Sequence, residues 1–187
     1  MAIAQKTAII TGASAGIGAG LVEAFLKKSY NVVATSLKVT QSLTASPNLV
    51  LVDGDIGKQE TAAKAVEAAI KHFGTIDALV NNAGILRTKP FTDSTTEDFN
   101  ALVSTNLLGF FYITQLTVKQ MLKKKSGNVV SITAALADQA HRRRKCFGFD
   151  DDEGRLEYGD PEPRNRVRKR RYPLQRRSPW CCGHAIA

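Results

Sequence analysis

The first 140 of the 187 residues predict an α/β fold, a doubly wound parallel sheet, followed by a largely irregular basic tail. Three observations predict it. Short apolar runs rich in β-branched residues alternate with segments of helical period, the pattern of a parallel sheet covered on both faces. The first run passes directly into a glycine-rich turn, TGASAGIG. Past Ala140 the composition changes abruptly, from aliphatic residues to arginine clusters, an acidic run and scattered prolines.

Lys6 to Gly12 (KTAIITG) is a short apolar run stopped by glycine, as a buried strand would be. AGIGAGLVEAFLKK then sets Ile17, Leu21, Ala24 and Phe25 at helical spacing. Asn31 to Thr35 and Asn48 to Val52 are again short and β-branched, and predict the second and third strands. TAAKAVEAAIKHFG places Ala62, Val66, Ile70 and Phe73 on one helix face and stops at Gly74. Asp77 to Val80 predicts a fourth strand. Ser94 and Thr95, each three residues before an acid (Glu97, Asp98), have the pattern of a capping box. They open a long helix bearing Phe99, Leu102, Val103, Phe110 and Ile113. Gly127 to Thr133 predicts a fifth strand. No internal repeat is evident.

The net charge of +9 divides unevenly. Residues 141–187 hold 13 of the 26 Lys and Arg and 7 of the 17 acids, leaving the first 140 at only +3. The basic character therefore belongs to the tail, with HRRRK at 141–145 and RVRKRR at 166–171. Taken at face value these runs make a nucleic-acid or nuclear-import arm, a reading that the DDDE run at 150–153 opposes. Cys146, Cys181 and Cys182 have neither a zinc spacing nor the look of a disulfide framework, and no metal site is expected. No apolar run approaches the ~20 residues of a membrane span. The start lacks a secretory pattern, so a cytoplasmic protein with no membrane partner is expected.

The turn Thr11 to Gly18 carries the chemistry. Gly12 permits a sharp turn, Gly16 lets backbone approach a pyrophosphate, and Gly18 lets the helix pack closely on the sheet. The helix N-terminus beside Ser14 and Ile17 offers N–H groups and a positive dipole end to phosphate. A glycine triplet alone is a weak signal and also occurs in plain turns. A strand before it and a helix after it supply the context that makes a nucleotide site.

These residues resemble the short-chain dehydrogenase/reductase family, whose fold is Rossmann-like, and further motifs match. Asp55 and Ile56 follow the third strand where the family holds the adenine ring. NNAG, Asn81 to Gly84, ends the fourth strand and brings Asn82, Ala83 and Gly84 to the cofactor site. Asn106 matches an asparagine that supports the family's proton relay; without the other motifs it would be a polar residue on a long helix. The resemblance covers residues 5–140, about five of the family's seven strands. It implies an NAD(P)-dependent oxidoreductase that moves hydride between a nicotinamide cofactor and a carbonyl or alcohol substrate. It also implies a homo-oligomer, which the altered C-terminal part puts in doubt. NAD-preferring members carry an acid at the end of the second strand, where this chain has Ser36. NADP users often have an arginine next; here Leu37 and then Lys38 follow. Ser36 and Lys38 could bind the 2′-phosphate that an acid would repel, so NADP is favoured over NAD. Lys38 could equally be a solvated loop lysine.

Past the fifth strand the pattern breaks. The family has a serine there and then a Tyr-x-x-x-Lys pair, but Ala134 stands at the serine's place and Thr133 one position early. Tyr158 is followed four on by Glu162, and Tyr172 by Arg176. Loss of a positioned acid–base group costs about 10²–10⁴-fold, so turnover is expected to be impaired. A nucleotide-binding protein without turnover is the alternative. Synonymous codons can be chosen for Phe149 to Gly154 that, read one base later, spell Ser-Met-Met-Thr-Lys-Gly. Ser178 to His184 in the same offset spell Ala-Pro-Gly-Val-Val-Asp, similar to the family's proline-glycine turn. The tail is therefore expected to be a family C-terminus read in a shifted frame.

Overall fold

The computed structural model describes residues 5–134. The expectations for the tail, 141–187, and for the boundary at 140 lie outside the described residues. Five strands form one parallel sheet: β1 (Thr7–Thr11), β2 (Asn31–Ser36), β3 (Leu49–Asp53), β4 (Ala78–Asn81) and β5 (Asn128–Ser131). Their order is β3-β2-β1-β4-β5, so the winding reverses between β1 and β4. β1 lies at the centre because every one of its side chains is buried. A parallel strand covered on both faces reads as a continuous apolar run, and β2 follows the same rule.

One face is covered by α1 (Gly16–Lys27), whose Val22 packs with Ile10, Val32, Ala34 and Val80. The other is covered by α2 (Gln59–Phe73) and α4 (Gly109–Lys124), around Ile9, Val33, Leu79, Ile113 and Met121. On α2 the innermost stripe is Ala62, Ala65, Val66 and Ala69. Small side chains let that helix lie close to the sheet, which leaves Ile70, expected in the core, at the exposed rim. Gly74 ends α2 in the left-handed conformation, as a helix stop should. Ile17 departs from its expected place on the buried face of α1. It is 63% exposed, and the α1 residues turned fully inward are Gly18 and Val22.

The long helix is not regular. α3 (Thr96–Leu102) passes into a π-helical turn, Val103–Leu108, and then into α4. Of the two capping residues expected, Thr95 closes the box. Its hydroxyl accepts from Asp98 N at 3.2 Å, and the Asp98 carboxylate accepts from Thr95 N at 3.1 Å. The continuous helix, Thr96–Lys124, is long and apolar enough by length and composition to cross a bilayer. Ser104, Thr105, Asn106 and Gln115 interrupt its apolar run, which hid this from a count of consecutive residues. Gly109, Ile113, Thr117 and Met121 make its inner face against the sheet.

Candidate functional site

A cavity of about 410 Å³ opens where the carboxyl ends of β1 to β4 meet the start of α1. This is the crevice beside the point where the winding reverses, the place where open α/β sheets take ligands. Gly12, Ser14, Ile17, Ser36, Asp55, Ile56, Asn82, Ala83 and Gly84 all line it, nine of the sequence-derived site residues from four separate segments. Gly16, Gly18, Lys38 and Asn106 do not. Ala15, Leu37, Gly54, Ile85 and Thr105 line it as well and were missed. Each of these five adjoins a residue that was named, so motif boundaries drawn one residue wider would have found them.

The glycines differ in what they permit. Gly12 has φ +66°, and a Cβ there would sit 2.8 Å from Ala83 Cα. A Cβ on Gly18 would come within 2.1 Å of the Gly12 carbonyl oxygen and 2.7 Å of Asn82 Nδ2. Gly18 therefore sits behind the cavity, where α1 touches the strand ends. Gly16 is the opposite case: around it lies open space, and it begins the helix whose first N–H groups have no partner within the helix.

Thr11 joins the two central strands beneath the site. Its hydroxyl accepts from Asn82 N and Ala83 N, both at 3.0 Å, and donates to Val80 O at 3.4 Å. Asn82 in turn donates from Nδ2 to the carbonyls of Thr11 (3.0 Å) and Gly12 (3.1 Å). Its amide group is thus committed to holding the glycine turn against β4. Asp55 accepts from Gly57 N at 2.9 Å, which closes a tight turn ahead of α2. Ile56 is buried against Gly109, where a Cβ would meet it at 2.8 Å.

Asn106 lies in the π turn and makes a reciprocal pair with one residue: Ile85 N donates to Oδ1 at 2.8 Å, and Nδ2 donates to Ile85 O at 2.9 Å. A π turn adds a residue to the helical repeat and turns a side chain out of register. Here it sends the Asn106 amide to the loop after NNAG, and Thr105 becomes the residue that lines the cavity. Ser36 lines the cavity too, and its hydroxyl has no hydrogen-bond partner among the described residues. Lys38 is exposed beside it. Among the described residues no group of three His, Cys, Asp or Glu side chains could hold a metal ion.

The loop that leaves the site, residues 85–94, is fastened through Asp98. Lys89 pairs with that carboxylate, and Arg87 Nε approaches it at 3.9 Å. The Lys89 ammonium, then the Thr95 N–H, hold the Asp98 carboxyl at about 2, below its ordinary 3.8. A carboxylate depressed in the folded chain stabilises it fully above the unfolded pKa and loses that effect as pH falls through the folded one. The fastening is therefore expected to persist to about pH 4 and to weaken between 4 and 2. Carbon-13 NMR of the Asp98 carboxyl checks this: Lys89→Met should move its titration up towards 3.8.

Three comparisons bear on the site. The family model for short chain dehydrogenase matches residues 6–147. The chain is 32% identical over 145 residues to 11-beta-hydroxysteroid dehydrogenase-like 3 of Arabidopsis thaliana, covering 73% of this chain and 47% of that protein. It is 31% identical over 143 residues to the 3-oxoacyl-[acyl-carrier-protein] reductase FabG of Buchnera aphidicola, covering 73% and 58%. Among solved structures it resembles ElxO with NADP bound, at 30% identity and a TM-score of 0.66, over 73% of this chain and 58% of that one. The chain thus spans about half the length of the curated relatives it matches.

Proposed function

The chain belongs to the short-chain dehydrogenase family, and from that premise we propose that it binds a nicotinamide dinucleotide in the cytoplasm, NADP in preference to NAD. One observation carries the reading: the glycine turn at Gly12, the start of α1 at Ala15 and Ile17, and the ends of four strands converge on one cavity. The residues fit the group. Gly16 leaves open the space in front of the α1 N–H groups, which would receive the pyrophosphate. Asp55 and Ile56 would hold the adenine end, and Ala83 and Gly84 would carry the chain of contacts towards nicotinamide. Ser36 places no negative charge at the ribose, which supports a 2′-phosphate there. Its neighbour Lys38 would add a cation.

The bound nicotinamide would supply or accept hydride from a carbonyl or alcohol substrate. This chain's own part is binding and orientation. Asn106 holds the Ile85 backbone, and through it the loop beside the cofactor, rather than offering its amide to the cavity. No Tyr-x-x-x-Lys pair occurs in the 187 residues, and Ala134 stands where the family has serine. Proton transfer to the substrate oxygen therefore lacks its usual donor, and turnover should be impaired by the about 10²–10⁴-fold that such groups contribute. Isothermal calorimetry of the full chain should show NADPH binding more tightly than NADH, without steady hydride transfer to carbonyl substrates. Equal affinities would overturn the NADP preference, and rapid turnover would overturn the impairment.

A further inference from the structure

The turn between β2 and β3 that flanks the ribose end of the cavity is anchored on both sides by adjacent residues of one strand end. At its start, Gly54 N donates to Ser36 O at 2.9 Å. At its close, Asp53 accepts from Thr40 N at 3.0 Å through one carboxylate oxygen and from the Thr40 hydroxyl through the other. Asp53 and Ser36 are register partners across β3 and β2, so both anchors spring from the same rung of the sheet. Between them Val39 is fully buried in the α1-side core, which pins the middle of the turn. Leu37 and Lys38 lie between these anchors, and the Lys38 carbonyl accepts from Gln41 N at 3.3 Å. Leu37 is 70% exposed and lines the cavity, and Lys38 is exposed next to it. The two Thr40 donors lower the Asp53 carboxyl below its ordinary range, as expected where the charged form accepts hydrogen bonds.

We propose that Asp53 and Thr40 are positioning residues for cofactor choice: they close a latch that holds Ser36 and Lys38 in place to receive a 2′-phosphate. The proposal rests on the NADP reading above. Asp53 does not line the cavity, and both of its carboxylate oxygens are engaged by Thr40, so it acts through the turn and not on the phosphate. An unlatched turn would keep Val39, the Ser36 carbonyl and the Gln41 N–H to Lys38 O bond, but would lose its tie to the end of β3 at Asp53. Placing two polar groups on one phosphate would then cost ordering entropy that the latched turn has already lost. NADH, which has no 2′-phosphate, would not register the difference.

Calorimetric dissociation constants for NADPH and NADH, measured on the full-length chain, test this. The wild type should prefer NADPH. Thr40→Val removes the hydroxyl donor while leaving the Asp53 charge in place. It should lower the NADPH-over-NADH preference by about five- to tenfold, the scale of one hydrogen bond to a charged group. Thr40→Ser should restore the preference, and Asp53→Asn should lower it as Thr40→Val does. A wild type without NADPH preference would overturn the cofactor reading itself. A preference unchanged in Thr40→Val would overturn the latch alone. So would a preference raised in Asp53→Asn, which would make Asp53 a repelling charge, or an equal loss of both cofactors, which would make the contact one of stability only.

Discussion

Gly18→Val is expected to lower the thermal midpoint of the chain by about 5–10 °C and to weaken NADPH binding at least about tenfold. The obstacle is backbone. A Cβ at this position would lie 2.1 Å from the Gly12 carbonyl oxygen and 2.7 Å from the Asn82 amide nitrogen. Neither neighbour can give way cheaply, since that nitrogen already donates to the carbonyls of Thr11 and Gly12. Relief therefore requires α1 to move away from the strand ends, and with it Val22 out of the core. Overpacking of this kind costs about 1–3 kcal/mol. The same movement would take the α1 N–H groups away from the proposed pyrophosphate position, so binding and stability should fall together. Gly20 supplies the control. A Cβ there meets nothing within 4 Å, so Gly20→Ala should be neutral or stabilising by about 0.5–1 kcal/mol through helix propensity. Thermal melts with an NADPH fluorescence titration decide it, and a Gly18→Val chain that melts and binds like the wild type would refute the account.

Two identical substitutions in β1 should give opposite results. Thr11→Val keeps the shape of the side chain but removes the acceptor for the Asn82 and Ala83 N–H groups. A stranded buried donor costs about 1–3 kcal/mol, and these two are part-buried at the cavity, so together they should cost the variant about 1–3 kcal/mol. Thr7 is fully buried on the same strand, and its hydroxyl has no hydrogen-bond partner among the described residues. Thr7→Val replaces an unpaired hydroxyl by a methyl group, and should leave stability unchanged or raise it by about 1 kcal/mol. Urea unfolding of both variants is the measurement. A similar midpoint for the two would show that burial, not hydrogen bonding, sets the value of these threonines.

The contrast between those threonines also marks how far the sequence could be read. The strands and α2 were legible because each is written within a few consecutive residues, as TAIIT or NVVATS. The glycine turn and NNAG were legible because their chemistry is carried by residue type. The meeting of Thr11 with Asn82 was not, since its partners lie 71 and 72 positions along the chain. The π turn was hidden for a related reason. The apolar spacing of Phe99, Leu102 and Ile113 does not mark the added residue, and the Asn106–Ile85 pair made from the π turn joins positions 21 apart. Ile17 misled because the inward face of α1 is carried by Gly18 and Val22, and a count of apolar side chains passes over a glycine. The Asp53–Thr40 contact carries no motif at all.

The position of β1 between β2 and β4 has a consequence for the polypeptide while it is still being made. β2 follows β1 after a single helix, so the two can pair soon after they emerge from the ribosome. The other edge of β1 waits for β4, which arrives only with Ala78 to Asn81. At about 5–20 residues per second, translation from the end of β2 to the end of β4 takes roughly 2–9 s. During that interval the strand that ends at the heart of the sheet is the outermost edge of the nascent one, apolar and with unpaired backbone groups. Neighbouring nascent chains on one polysome expose the same edge in the same register. The centre of this sheet is thus where the growing chain most needs shielding from its neighbours.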